Sequence, residues 1–104
     1  MRIDVFQVLA AMVNGAATAN EILATLRSSG EPGGVPAVPT LYRRLKECLD
    51  EGWIEVEMGA AEAAGPGRPG QRYRLTRSGE KAARVEAERW RRFVEPLLGG
   101  GARR

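Results

Sequence analysis

The sequence contains no histidine and a single cysteine, Cys48, among its 104 residues. Without histidine it lacks both an imidazole general base and the commonest metal ligand, and one thiol cannot form an internal disulfide. No serine or carboxylate pair comes with a candidate base, so nucleophilic catalysis has no machinery to run on. The His and Cys clusters of a metal sensor are missing too, and no cofactor is implied. Aromatic residues are scarce, with two each of Trp, Tyr and Phe. No apolar run approaches the roughly 18 residues of a membrane span, and the first residues lack the basic-then-apolar pattern of a secretion signal. A soluble, cytoplasmic protein that is not an enzyme is the expectation.

One-sided charge is also missing. Sixteen Lys and Arg face thirteen Asp and Glu, a net charge of +3, too small an excess to indicate a nucleic-acid partner by itself. The placement of the charges has to carry that inference. A chain of this length makes one domain, which buries about two thirds of its unfolded surface.

The stretch around which the rest is organised is VPTLYRRLKECLDEGWIEVE, residues 38–57. Leu41, Leu45, Cys48 and Leu49 form one apolar helical stripe, and Pro39 supplies the fixed φ of a first helical residue. On that stripe Cys48 behaves as a small buried hydrophobe rather than a reactive thiol. Thr40, Arg43, Lys46 and Glu47 lie on the opposite side with Arg44 on the flank, a face of cations and a hydroxyl that suits DNA. Arg43 points furthest from the core, and arginine bidentate to guanine is the commonest specific contact. Glu47 either accepts from cytosine or pairs with Arg43 or Arg44. Gly52 can close the helix in the left-handed conformation, and residues 53–57 then alternate as a strand buried on one face.

Upstream, residues 3–13 predict a helix with apolar residues on two adjoining faces, Phe6, Leu9 and Val13 on one and Val5, Val8 and Met12 on the next. A surface helix needs a single stripe, so the second face is covered either by another subunit or by deep insertion into the chain's own core. Asn14-Gly15 ends it. Thr18 and Glu21 have the spacing of a capping box, which opens a second helix with Ile22, Leu23 and Leu26 on its core face. A Ser/Gly/Pro loop follows over residues 28–34, then a short extended piece over residues 35–37.

Residues 59–70, GAAEAAGPGRPG, are too rich in Gly, Ala and Pro to fold alone. They read as the tip of a β-hairpin whose second strand is residues 71–75. Arg68 at the tip, with Arg72 and Arg74 at the base, either reaches DNA phosphates or a minor groove, or belongs to a linker that contacts nothing. Thr76 caps a last helix running from Arg77 to about Glu95, where Pro96 disrupts further helix. Ala83, Ala87, Trp90, Val94 and Leu97 recur with the spacing of a seam between paired helices, widened by Phe93. Its other positions, Glu80, Lys81, Arg84, Glu86, Glu88, Arg89, Arg91 and Arg92, read as a solvated face. Three short helices and a hairpin already close one core, so this seam asks for a second copy of the chain.

In combination, PTLYRRLKECLDEGWIE, a Gly/Pro/Arg loop, RYRLTRSGEKA and a helix containing ERWRRF resemble the PadR-type winged-helix transcriptional regulators. The resemblance runs over residues 6–93. It rests most on Thr40-Leu41-Tyr42 at the start of the third helix and on Tyr73-Arg74-Leu75-Thr76 leading through Gly79 into the last. It implies a mainly α fold with a small β-hairpin: a winged helix-turn-helix domain over residues 1–76 with its wing at about 59–70, a C-terminal dimerisation helix over 77–98 and a disordered tail over 99–104. It also implies a homodimer bound to an inverted repeat of double-stranded DNA, which commonly represses transcription until a small ligand or other signal releases it.

Carried over residue by residue, Thr40, Tyr42 and Arg43 from the third helix and Arg68 and Arg72 from the wing are the expected DNA contacts, and Arg44 and Lys46, read from the cationic face of the same helix, complete the set. Tyr42 sits beside the buried stripe, so packing with its hydroxyl on a phosphate stands beside direct base contact. The expected dimer interface is Val5, Val8 and Met12 with Ala83, Ala87, Trp90, Val94 and Leu97. Some relatives hold flat aromatic effectors against tryptophans of the last helix, which would make Trp90, Val8 and Met12 pocket residues, and Trp90 is equally a seam residue. This chain departs from many relatives in having Thr18-Ala19-Asn20 where they carry a His-Gly-Tyr-type sequence, and Val38 where a polar cap would precede Pro39. The rival from another class is a winged-helix module that binds a protein and no DNA, favoured by the modest charge, the acidic half of the wing, and Glu47, Asp50 and Glu51. Steep salt dependence separates the two.

Overall fold

The computed structural model describes residues 1–29, 34–57 and 70–99. Its elements follow the order α1 (Ile3–Ala10), β1 (Ala17–Thr18), α2 (Ala19–Ser28), α3 (Val38–Asp50), β2 (Ile54–Val56), β3 (Arg72–Leu75) and α4 (Arg77–Leu98). The expected wing tip falls largely outside the described residues, as do Arg68 and residues 100–104.

Local chemistry starts and stops these elements. The capping box forms as its spacing predicts: Glu21 N–H donates to Thr18 Oγ1 at 3.1 Å, and Thr18 N–H donates to Glu21 Oε1 at 2.8 Å, satisfying two otherwise free amides of α2. Gly52 closes α3 with φ +77°, a conformation that costs glycine little. In α3, Leu41, Leu45 and Cys48 are buried and Leu49 packs partly against the same cluster, as the stripe requires. Ile54 is buried and Glu55 exposed on β2, the alternation of a strand with one covered face.

The sheet is three-stranded and antiparallel, in the order β1-β3-β2, one strand more than the hairpin expected from sequence. β1 is only two residues long and pairs Ala17 with Tyr73 and Thr18 with Arg72. The segment over residues 35–37 stays outside the sheet. Tyr73, buried at the centre of β3, also faces Val56 across β2.

Three further expectations are corrected. α1 ends at Ala10 and tightens through bonds from Met12 N–H to Leu9 O and Val13 N–H to Ala10 O, a 3₁₀-like exit rather than a helix to Val13. Its wide apolar surface is taken up at home: Val5 is buried, and Val8 and Met12 are 0% and 2% exposed within the chain's own core. These three therefore have no surface left for a second copy. α4 continues through Pro96 to Leu98. A proline in the last turn removes one backbone donor, close to where helical carbonyls lack partners anyway, and Gly99 N–H still reaches Glu95 O at 2.6 Å.

α4 is anchored at its start. Thr76 accepts from Gly79 N–H at 3.0 Å, donates its hydroxyl to Gly52 O at 2.6 Å, and gives its own N–H to Trp53 O at 3.0 Å. Gly79 is buried there, and only glycine fits, because a Cβ would land on the Trp53 carbonyl oxygen. The Tyr-Arg-Leu-Thr…Gly stretch thus fastens the end of α3 to the beginning of α4.

Candidate nucleic-acid interface

The outward side of α3 is where the expected contact residues meet. Arg43 is exposed and makes no hydrogen bond or ion pair among the described residues. Thr40 is half-buried one turn earlier. Tyr42 is half-buried and packs on the core, which leaves part of the residue open to a partner.

Among the described residues the other expected cations are already engaged. Arg44 Nε lies 3.4 Å from Asp4 Oδ2, and Lys46 Nζ lies 3.3 Å from Asp50 Oδ2. Arg72 Nε is 3.1 Å from Glu57 Oε1, an ion pair without hydrogen-bond alignment, while its Nη2 donates to Ala16 O at 3.3 Å. Arg74 pairs with Glu55 at 2.7 Å. The Lys46–Asp50 and Arg74–Glu55 pairs are exposed, and pairs of that kind are weak and exchange readily for another anion, whereas Arg44–Asp4 and Arg72–Glu57 are partly buried. The free charge on the face nevertheless concentrates on Arg43.

Glu47 pairs neither with Arg43 nor with Arg44. Its Oε1 accepts from Arg2 Nη2 at 2.7 Å, and Arg2 Nε also donates to Asp4 at 3.1 Å. Burial alone would raise the Asp4 carboxyl, but hydrogen bonding by Arg2 and the charges of Arg2 and Arg44 outweigh it and hold the group below its usual range. The resulting Arg2–Asp4–Arg44 and Arg2–Glu47 pairs tie the start of α1 to the middle of α3. Sequence reasoning missed Arg2 and Asp4, because nothing in local spacing brings residues 2 and 47 together.

Cys48 is fully buried behind this face, and burial, reinforced by the neighbouring Glu47 charge, pushes its thiol up to about 12. It remains a neutral thiol near pH 7 and cannot act as an accessible nucleophile. Among the described residues no group of three or more His, Cys, Asp or Glu side chains gathers to hold a metal, and no helix is long and apolar enough to cross a membrane.

Of the residues expected to line an effector pocket, two are buried and one is exposed. Val8 and Met12 are filled core, and Trp90 stands partly exposed on α4 with its ring centroid 6.2 Å from that of Phe93 at an interplanar angle of 58°. Of the expected dimer seam, Ala83 packs against the core of its own chain, and Ala87, Trp90, Val94 and Leu97 are open.

A capped second helix, a third helix with an open cationic face, an antiparallel sheet behind it and a long terminal helix together define a winged helix-turn-helix protein. Solved structures specify the variant. The fold is similar to that of PadR from Bacillus subtilis, solved in complex with operator DNA, with a TM-score of 0.66 and 19% identity over 83% of this chain and 47% of that one. This chain therefore spans about half the length of that protein. It is also similar to a PadR-family transcriptional regulator from Eggerthella lenta, with TM-score 0.66 and 21% identity over 91% of this chain and 78% of that one. A PadR-family transcription regulator from Clostridium difficile gives TM-score 0.67 and 17% identity over 91% and 93%. By sequence the chain matches no family model and no curated protein; the likeness lies in the fold, which is that of the PadR-type regulators.

Proposed function

We propose that this chain is a sequence-specific DNA-binding transcriptional regulator of the PadR type, a cytoplasmic homodimeric repressor that sits on an inverted repeat and leaves it when a small aromatic ligand binds. The observation that carries the DNA reading is the open face of α3, where Arg43 is exposed and unpaired among the described residues while Leu41, Leu45 and Cys48 hold the helix rigidly from behind. Arg43 reads a guanine edge, and Thr40, Tyr42, Arg44 and Lys46 hold phosphates, Lys46 by exchanging its exposed partner Asp50 and Arg44 by leaving the half-buried Asp4. Arg72 at the wing base adds a phosphate contact, with Arg68 expected beyond it.

The homodimer is supported by the C-terminal half of α4, which carries Trp90, Phe93, Val94 and Leu97 uncovered. Where two copies meet, the Trp90 and Phe93 rings supply aromatic surface for a flat effector to lie against.

The test is selection of random duplex DNA by the purified protein, followed by anisotropy titrations at two salt concentrations. An enriched inverted repeat with half-sites about one helical turn apart, and a slope of roughly −0.9 per phosphate neutralised, is expected. Arg43→Ala should lose about 1–3 kcal/mol of preference at one base pair of each half-site without loss of fold. No enrichment and no salt dependence would replace this reading with a protein-interaction module.

A further inference from the structure

The described cations assigned to phosphates are each met by a carboxylate of the same chain. Arg44 lies 3.4 Å from Asp4, Lys46 3.3 Å from Asp50 and Arg72 3.1 Å from Glu57. Arg43, assigned to a base edge, has no such partner among the described residues. Asp4 serves the fold, because Arg2 also holds it and together they tie α1 to α3. Asp50 and Glu57 do nothing comparable. Asp50 is the last residue of α3, where the aligned peptide dipoles leave partial negative charge, so its carboxylate weakens the helix that carries it. Glu57 lies beside Arg72 Nε without hydrogen-bond alignment and contributes charge alone. Where a residue works against its own element, function accounts for it better than folding does.

Phosphate contacts are alike on any duplex and carry no sequence information. At about 100° per residue, Asp50 falls within about 20° of Arg43 round α3 and so lies on the reading side itself. A chain bound without a preferred site samples many registers, and the average over them sets these acids against phosphates. Like charges brought together in this way penalise wrong placements and fix the register. Once Arg43 holds its guanine the register is set, with phosphates against Lys46 and Arg72.

Resting on the reading of α3 as the recognition helix, we infer that Asp50 and Glu57 are specificity-determining residues that repel phosphates in registers other than the one Arg43 fixes. Arg43 supplies attraction to the right sequence, and the two carboxylates supply rejection of the wrong ones.

The test compares the wild-type chain with the double variant Asp50→Asn and Glu57→Gln, which removes both charges at nearly constant shape. Anisotropy is read at two salt concentrations on the selected duplex and on one of shuffled sequence. Affinity for the shuffled duplex should rise about tenfold, about threefold for each cation released, with a salt slope steeper by up to roughly 0.9 per added phosphate contact. Affinity for the selected duplex should rise about threefold at most, so discrimination falls about threefold or more. Glu88→Gln with Glu95→Gln changes net charge equally on α4 and should leave discrimination intact. An equal rise on both duplexes, no rise on either, or the same loss of discrimination from the α4 pair would overturn the inference, while the loss of base preference in Arg43→Ala would still uphold the DNA reading. Failure to select any duplex would sink both. Neither Asp50 nor Glu57 is buried, so the double variant keeps the wild-type circular dichroism and a melting temperature no lower than the wild type's.

Discussion

The two halves of α4 carry one apolar stripe and meet different fates. In the first half Gly79 is buried and Ala82 and Ala83 are half-buried, packed where α4 lies on α1 and the end of β3. In the second half the same stripe continues through Trp90, Phe93, Val94 and Leu97, and there Phe93 and Leu97 are 68% and 70% exposed. The period does not change along the helix; only the cover runs out. An apolar stripe is a demand for a partner surface, and this body meets the demand for about two turns and no further. Glu86 marks the boundary. Expected on a solvated face, it is buried, with its Oε1 3.8 Å from the Met1 amino group and 3.5 Å from Arg89 Nη1, cations that a buried carboxylate requires.

The first half is broken most severely at Gly79. Gly79→Ala would drive a methyl into the Trp53 backbone, which cannot move without pulling β2 off β3. A loss of about 3 kcal/mol or more is expected, seen as a collapsed melting temperature, and a near-wild-type melt would mean that the close approach of α4 to the α3–β2 corner is dispensable. The second half is broken at Trp90. Trp90→Glu places a charge on the open stripe, and removing a buried aromatic anchor from an interface typically costs about 2 kcal/mol or more. Sedimentation should show the proposed dimer weakened at least about 30-fold, with far-UV circular dichroism unchanged because the body does not use this side chain. An unaltered dimer would place the second copy elsewhere.

This contrast also marks what the sequence could and could not disclose. Periodicity shows that Leu41, Leu45 and Cys48 are buried, and the Thr18–Glu21 spacing shows where α2 begins, because both are local. The cover for α1 is not local: Val5, Val8 and Met12 ask for a partner surface, and only the packing of the whole chain shows that the home core supplies it. β1 escaped notice because two residues have no period, and their pairing is fixed by Tyr73 and Arg72, more than fifty positions away. Pro96 misled because a rule about helix interiors was applied in a last turn. At the candidate site, residue types marked the α3 face, yet the pairing of Arg44 depends on Asp4 being in reach and the freedom of Arg43 on Arg2 holding Glu47, contacts that bring together residues more than forty positions apart or from different helices.

A smaller effect tests the joint that the first half depends on. Thr76 caps α4 and also grips the Gly52 carbonyl, so Thr76→Ala should cost about 1–2 kcal/mol, near the upper end for a helix cap. Thermal melting should record this, while the affinity between copies, measured well below the melt, stays as in the wild type because Trp90 to Leu97 are untouched. A loss of association of the same size would show that the two halves of α4 act as one unit.

The smallest effect belongs to Arg91, on the flank of the stripe. It is the most heavily paired cation of the second half, with Nε 2.9 Å from Glu95 and Nη1 3.2 Å from Glu88, and the Glu95 hydrogen bond holds its guanidinium above the usual range. All three side chains are about 60% exposed, where water screens the attraction and ordering long side chains offsets what remains. Alanine is the strongest helix former and restores what the lost pairs gave. Arg91→Ala should therefore leave melting temperature and sedimentation unchanged in low or high salt. If instead it separated the copies as Trp90→Glu does, the charged side of the second half, rather than its apolar stripe, would be what a second copy binds.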